Sequence, residues 1–246
     1  MLSAFTPMRL LVLLPLLAVA LRAADPAPAG YVSLFDGSSL AGWEGNPALW
    51  SVEDGTITGR TRAEAPLKSN TFLIWKGGET KNFELRAHFR VLDNNEKKTA
   101  NSGIQYRSKV VDAKGWVVGG YQGDIDAAGR YVGMLYEEKG RGILAKPGEK
   151  VRLVAPPAGE KTKPEVTGPS APAAAVAVAF QPDGWNELII RAEGNHLRHY
   201  LNGVATADII DLDPAKAASS GVLALQIHTG PPMTIQFKNL YLKTLP

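Results

Sequence analysis

Amide, carboxylate, imidazole and guanidinium groups recur at alternate positions along several short apolar segments of this chain, a spacing that could gather them into one reactive surface. In the segment 119–126, Gln122, Asp124 and Asp126 alternate with Tyr121 and Ile125. Gln105 and Arg107 alternate with Ile104 and Tyr106, and Gln226 and His228 with Leu223, Leu225 and Ile227. Tyr136 and Glu138 form a fourth pair. Successive side chains of an extended strand point to opposite faces, so each segment offers its polar groups opposite its apolar ones. If the four strands are neighbours, the groups converge on one hollow. Such mixed donors and acceptors suit a polyhydroxylated ligand, with Trp43, Trp116 or Tyr121 able to stack on a sugar face. An ordinary solvated sheet face would show the same alternation.

Narrower signals sit within this pattern. Asp124 and Asp126 place two carboxylates on one face, where they can divide acid and base roles. With His228 they also offer hard ligands to a divalent ion such as Ca²⁺ or Mn²⁺, and a plain surface pair would look alike. His196 and His199 are three apart, so on a strand they face opposite ways and cannot form an adjacent metal pair. His199 is either a hydroxyl-orienting group or a structural histidine. His228 precedes Thr229-Gly230-Pro231-Pro232, where a strand meets a loop. Glu137–Gly142, with Arg141, reads as a charged turn that either binds ligand or is merely solvated. No Ser-centred nucleophile elbow, phosphate-binding glycine loop or zinc-protease helix motif occurs, and the absence of Cys removes thiol nucleophiles and Cys-ligated metals.

The elements that must position these residues are strands. The 246 residues, 45% hydrophobic with 25 Gly and 17 Pro, are enough for a real core and are inconsistent with disorder or a collagen repeat. Phe83, Leu85, Ala87, Phe89 and Val91 alternate with charged residues, a period-2 strand. Asp54-Gly55 predicts a hairpin turn between 50–53 and 56–58, and Gly194-Asn195 and Asn202-Gly203 predict two more. Further strands are expected at 72–75, 103–107, 117–126, 132–136, 151–154, 174–180, 185–193, 196–201, 221–228 and 234–242. The Pro-rich stretch 156–172 reads as a surface loop. The fold class is all-β, a single-domain two-sheet jelly-roll sandwich. The expected organisation is a signal peptide at 1–24, a linker at 25–30 and the β-domain at 31–246.

Residues 1–21 start with Arg9, continue in an apolar run near 12 residues that is short for a membrane span, and end in small residues. An N-terminal membrane anchor is the competing reading. Cleavage after Ala24 reduces the formal charge of +3 by removing Arg9 and Arg22. A nearly neutral mature chain without a Lys/Arg cluster is a poor match for nucleic acid. An exported, periplasmic or extracellular protein without a stable span is expected; its oligomeric state is not encoded legibly.

The ordered motifs Leu34-Phe35-Asp36-Gly37, Leu40-Ala41-Gly42-Trp43, Trp50-Ser51-Val52-Glu53-Asp54-Gly55, Asn101-Ser102-Gly103-Ile104, Tyr121-Gln122, Gly184-Trp185-Asn186-Glu187 and His199-Tyr200-Leu201-Asn202-Gly203 carry a resemblance. The chain resembles the 3-keto-disaccharide hydrolase domain family, long catalogued as a domain of unknown function (DUF1080). The resemblance runs from about Tyr31 to Leu245 and implies a concanavalin-like β-jelly roll, often exported, that acts on or binds carbohydrate. One departure stands out: many family members carry Gly-x-Glu-Tyr-Gln on the central strand, whereas Gly120 stands here at the Glu position.

What the resemblance implies chemically is cleavage of a 3-keto-glycoside. The C3 ketone acidifies the C2–H bond, a base forms an enolate, and an acid assists departure of the C1 substituent. On that reading Asp124 or His228 is the base, Arg107 or a divalent ion stabilises the enolate, and Glu138 is the acid. Gln105, Gln122, Tyr121, Tyr136, His199, Arg141 and Gln226 would bind substrate. A non-catalytic carbohydrate-binding module and an ordinary two-carboxylate glycosidase are the alternatives.

Overall fold

The computed structural model describes residues 25–93 and 98–246; the expected signal segment lies outside them. In chain order the strands are β1 (Val32–Ser33), β2 (Trp43–Glu44), β3 (Trp50–Glu53), β4 (Thr56–Arg60), β5 (Thr71–Trp75) and β6 (Phe83–Asp93). Next come β7 (Asn101–Asp112), β8 (Val117–Asp126), β9 (Leu135–Glu138), β10 (Gly142–Ala145), β11 (Glu149–Leu153) and β12 (Glu165–Pro169). The short helix α1 (Ala173–Ala177) separates these from β13 (Asn186–Glu193), β14 (His196–Leu201), β15 (Val204–Asp211), β16 (Val222–Ile227) and β17 (Met233–Thr244).

Two sheets form a sandwich. The larger has ten strands, in the order β12-β11-β15-β14-β13-β6-β17-β4-β3 with β1 also on β17. The smaller has seven, in the order β10-β9-β8-β7-β16-β5-β2. The β11–β15 pair is parallel and the other pairs antiparallel. The turns form where the sequence asks for them: Asp54 and Gly55 at the β3–β4 corner, and Asn202 and Gly203 at β14–β15, all hold positive φ. The alternation in β6 is realised, with Phe83, Leu85, Ala87, Phe89 and Val91 all buried. They face Tyr106, Tyr121, Gly123 and Ile125 of the smaller sheet; a Cβ on Gly123 would already touch Leu188 and Ile190 of β13 at 3.1 Å.

Three expectations need correction. The strand expected at 132–136 starts only at Leu135, because Val132 and Gly133 form a turn in which Gly133 holds φ 80°. Residues 174–180 do not form a strand: α1 begins after Pro172, since an alanine-rich run has high helix propensity and this one buries no side chain to favour a sheet. The stretch 156–172 is not loop throughout, because β12 adds to β11 as an exposed edge strand ending at Pro169, where a missing N–H is tolerated.

One polar assembly is built into the join between the sheets. Tyr121 of β8 donates to Asp211 Oδ2 at 2.5 Å, and Arg141 bonds Asp211 Oδ2 at 2.6 Å and Glu137 Oε2 at 2.7 Å. The Arg141 side chain is 3% exposed and that of Asp211 1%. Removing one partner from a buried ion network strands the charges left behind. Arg141→Met is therefore expected to destabilise the fold by about 3–5 kcal/mol, read as a lower urea midpoint at unchanged m-value; an unaltered midpoint would mean that the network carries no such energy.

Candidate functional site

The outer face of the seven-stranded sheet curls on itself. Strands β9 and β16 are three places apart in the sheet, about 14 Å if it were flat, yet Gln226 Nε2 donates to Glu138 Oε2 at 3.3 Å. The tip of the β7–β8 hairpin folds over in the same sense: Phe72 N–H donates to the Trp116 carbonyl at 2.9 Å, and Phe72, Ile74, Val117, Val118 and Ala224 form a second apolar cluster. The bend comes from a register shift between Tyr106 and Lys109, where Arg107 adopts φ 45°.

Under this curl lies a run of polar groups. Gln105 and Gln122 are direct partners across β7 and β8, with Gln105 Nε2 donating to Gln122 Oε1 at 2.7 Å. Gln122 Nε2 donates to Asp124 Oδ1 at 2.8 Å, and Asn101 Nδ2 to Asp124 Oδ2 at 3.3 Å. On β9, Tyr136 pairs with Gln122 and Glu138 with Gly120. Asn70 Nδ2 also donates to Glu138 Oε2, and Gln226 Oε1 is buried without a hydrogen-bond partner in the structure. Gln105, Gln122, Asp124, Glu138 and Gln226 are all buried.

Burial dominates the electrostatics. It pushes the Asp124 carboxyl up to about 7; the Gln122 and Asn101 amides pull it back, and the charges of Asp126 and Glu138 raise it further. The Gln105 amide meets more of its neighbours when it is turned over. Turned over, Gln105 donates to the Tyr121 carbonyl at 3.1 Å and the Gly120 carbonyl at 3.3 Å and accepts from Gln122. Gln122 must then turn as well, bringing its own carbonyl oxygen to Asp124, a contact that only a protonated carboxyl satisfies.

The structure brings together Gln105, Gln122, Asp124, Tyr136, Glu138 and Gln226 from the sequence-derived set. His228 sits at the rim: its Nδ1 donates to the Thr229 carbonyl at 2.5 Å, and Thr229 N–H donates to Asn70. Because a carbonyl only accepts, Nε2 carries the free lone pair of the neutral ring.

Four expected members lie elsewhere. Arg107 leaves the face because its left-handed backbone breaks the alternation; its guanidinium is used up on the carbonyls of Lys81, Gly194 and Ala218. Tyr121 points between the sheets to Asp211, as its odd position dictates, and Arg141 is held there with it. His199 shares its side of β14 with Leu197 and Leu201 and is wholly buried. Its Nδ1 donates to the Gly133 carbonyl and Nε2 accepts from Tyr106, while burial pushes it down to about 4, so it is a neutral core histidine. Trp43 is likewise engaged, donating to the Leu34 carbonyl.

Asp126 is engaged away from Asp124. Its oxygens accept the backbone N–H groups of Arg130 and Tyr131, capping the following turn. Among the described residues no group of three His, Asp or Glu side chains is placed to hold a metal.

At Gly120, where the family resemblance leads one to expect Glu, φ is 144° and a Cβ would stand 2.6 Å from Ser108 Oγ and 2.7 Å from Ser108 Cα. No side chain fits, and the neighbouring carboxylate is that of Glu138. Asn70 escaped the sequence reading because it precedes β5 in an irregular segment without periodicity. Asn101 was visible only as part of a motif.

The raised Asp124 carboxyl has a stability consequence. Its proton is held more tightly in the folded chain than at the ordinary value of 3.8, so this contribution is complete below pH 4 and lost as pH rises through about 7. Asp124→Asn should remove up to about 4 kcal/mol of the stability difference between pH 4 and pH 8. Urea midpoints across that range check this; parallel pH profiles for both proteins would refute it.

Comparison with known proteins agrees with this architecture. A carbohydrate-binding module of Bacillus subtilis superposes with a TM-score of 0.52 at 16% identity, covering 82% of this chain and 96% of that one. A crystal structure described as a putative glycosyl hydrolase from Parabacteroides distasonis gives 0.55 at 18% identity, covering 87% and 99%. At these identities the likeness is one of fold, a jelly-roll sandwich. A 3-keto-disaccharide hydrolase of Bacteroides thetaiotaomicron is 36% identical over 92 residues, which is 35% of this chain and 30% of that relative's length. The sequence profile described as a 3-keto-alpha-glucoside-1,2-lyase-like domain matches residues 30–243, a span that includes both sheets and the curled polar face, and the chain belongs to that family.

Proposed function

We propose that the chain cleaves 3-keto-glycosides on the curled face of the smaller sheet, with Asp124 as the base that removes the C2 proton. The observation that carries this reading is a carboxyl only 2% exposed, which burial holds near neutrality, with the Gln122 and Asn101 amides donating to its two oxygens. A general base works best when its affinity for a proton is close to the working pH.

In the reaction, the Asp124 carboxylate takes the proton from C2 and the electron pair moves onto the C3 oxygen as an enolate. The enolate collapses to restore the ketone, forms a C1–C2 double bond and expels the C1 oxygen, which receives a proton from Glu138. Release of the unsaturated ketone completes a lyase reaction; addition of water across C1 and C2 completes a net hydrolysis. Enolate formation needs nearby N–H donors, and the amides of Asn70, Asn101 and Gln226 supply them on this face. The unpartnered Gln226 Oε1 accepts a substrate hydroxyl, and Tyr136, half-buried, contributes a hydroxyl and an aromatic edge. The N-terminal segment suits an exported enzyme that meets its glycoside outside the cytoplasm.

The test compares a glucoside with its 3-keto derivative. Cleavage of the oxidised sugar alone supports elimination; binding without cleavage favours a carbohydrate-binding module, and cleavage of the unoxidised sugar an ordinary glycosidase. Since the base must be ionised, kcat/KM should rise with pH through about 7. Asp124→Asn should lower kcat by roughly 10²–10⁴-fold; unchanged turnover would remove Asp124 from the mechanism.

A further inference from the structure

A cavity of about 910 Å³ opens at the end of the sandwich, beneath the overhanging β7–β8 arm. The arm, the β9–β10 turn, the segment 215–220 and the segment 160–162 enclose it. Glu138, whose carboxylate belongs to the polar face, is also on its wall.

The wall carries an uneven charge. Arg107 is saturated by backbone carbonyls, and Arg141 is neutralised by Glu137 and Asp211. Glu160 is 3.6 Å from Lys163, and Glu138 is 3.8 Å from Lys139. Lys109, Lys161 and Lys216 also line the cavity, and among the described residues none has a carboxylate within 4.0 Å. Beside them the Thr162 hydroxyl is buried without a hydrogen-bond partner in the structure. A buried hydroxyl left unsatisfied costs free energy, and the three exposed ammonium groups leave this wall with positive charge that no carboxylate of the described residues neutralises. A single anionic guest relieves both.

We infer that this cavity receives the leaving group of the substrate and selects one that bears a carboxylate. The inference rests on the proposed cleavage reaction and adds its substrate class: a 3-keto-glycoside whose C1 substituent is a sugar acid or another carboxylated alcohol. Glu138 stands at the boundary, where the acid assisting departure must meet the oxygen being expelled. Lys161 brings the Pro-rich excursion into the site, a segment with no part in the polar face.

The experiment uses two aryl 3-keto-glucosides that differ only in a carboxylate or a carboxamide on the ring. At low salt kcat/KM should favour the carboxylate by ~10-fold, mainly through KM, and the preference should shrink as salt screens the lysines. In the variant carrying Lys109→Gln, Lys161→Gln and Lys216→Gln the ratio should fall towards one. A wild-type ratio near one, or a ratio unmoved by the three substitutions, overturns the inference. Calorimetric binding of the unoxidised carboxylate and carboxamide glucosides separates this from failure of the cleavage reading. If neither keto-sugar is turned over but the carboxylate binds more tightly and loses that advantage in the triple variant, the cavity's selectivity stands. Equal binding of the two overturns it.

Discussion

The buried Arg141 guanidinium is the constraint on which the rest of this structure depends. A charge shielded from water is tolerated only when paired and fully hydrogen-bonded, and Arg141 meets that demand with Glu137 from its own turn and Asp211 from the opposite sheet. Tyr121 adds its hydroxyl to the same carboxylate. The network thereby ties β8 and the β9–β10 turn to the end of β15 and fixes which side of β8 faces inward. A one-residue slip of a strand exchanges its two faces, so committing Tyr121 to Asp211 commits Gln122 and Asp124 to the other side. The chemistry of the polar face is thus secured by a bond made behind it.

Curvature is the second requirement, and it comes from local backbone departures. Arg107 at φ 45° and the register shift beside it bend β7. Ser108, carried forward by that bend, is flanked by two glycines that leave it room: a Cβ on Gly120 would meet its side chain at 2.6 Å, and one on Gly221 its carbonyl oxygen at 2.4 Å. Ser108 Oγ in turn bonds Gln105 Oε1 at 2.7 Å. The close approach of Ser108 leaves no room for a side chain at position 120, and the carboxylate opposite it on the adjacent strand is that of Glu138.

Period and turn chemistry made most of this legible from sequence. Strands β8 and β14 run where alternation put them, and Gln105, Gln122, Asp124, Tyr136, Glu138 and Gln226 share a face because each keeps the parity of its strand. The misplacements arise where parity stops applying or is outweighed. Arg107 lies at a bulge, Arg141 lies past the end of β9, and His199 keeps its parity but on the core side of the larger sheet. An imidazole among leucines reads as a site residue until its Tyr106 and Gly133 partners are known. Residues 174–180 failed for a simpler reason: Ala and Val alternate there, but alanine has no side chain large enough to anchor a strand face, and helix propensity prevailed.

The same burial that raises the Asp124 carboxyl also bears on what the face is for. A surface that only binds sugars is well served by neutral amides, which offer donors and acceptors without the cost of desolvating a charge. Here a carboxyl stands among the amides and is buried, so that ionising it works against the fold. That arrangement favours a group that gives and takes a proton over one that merely accepts a hydroxyl.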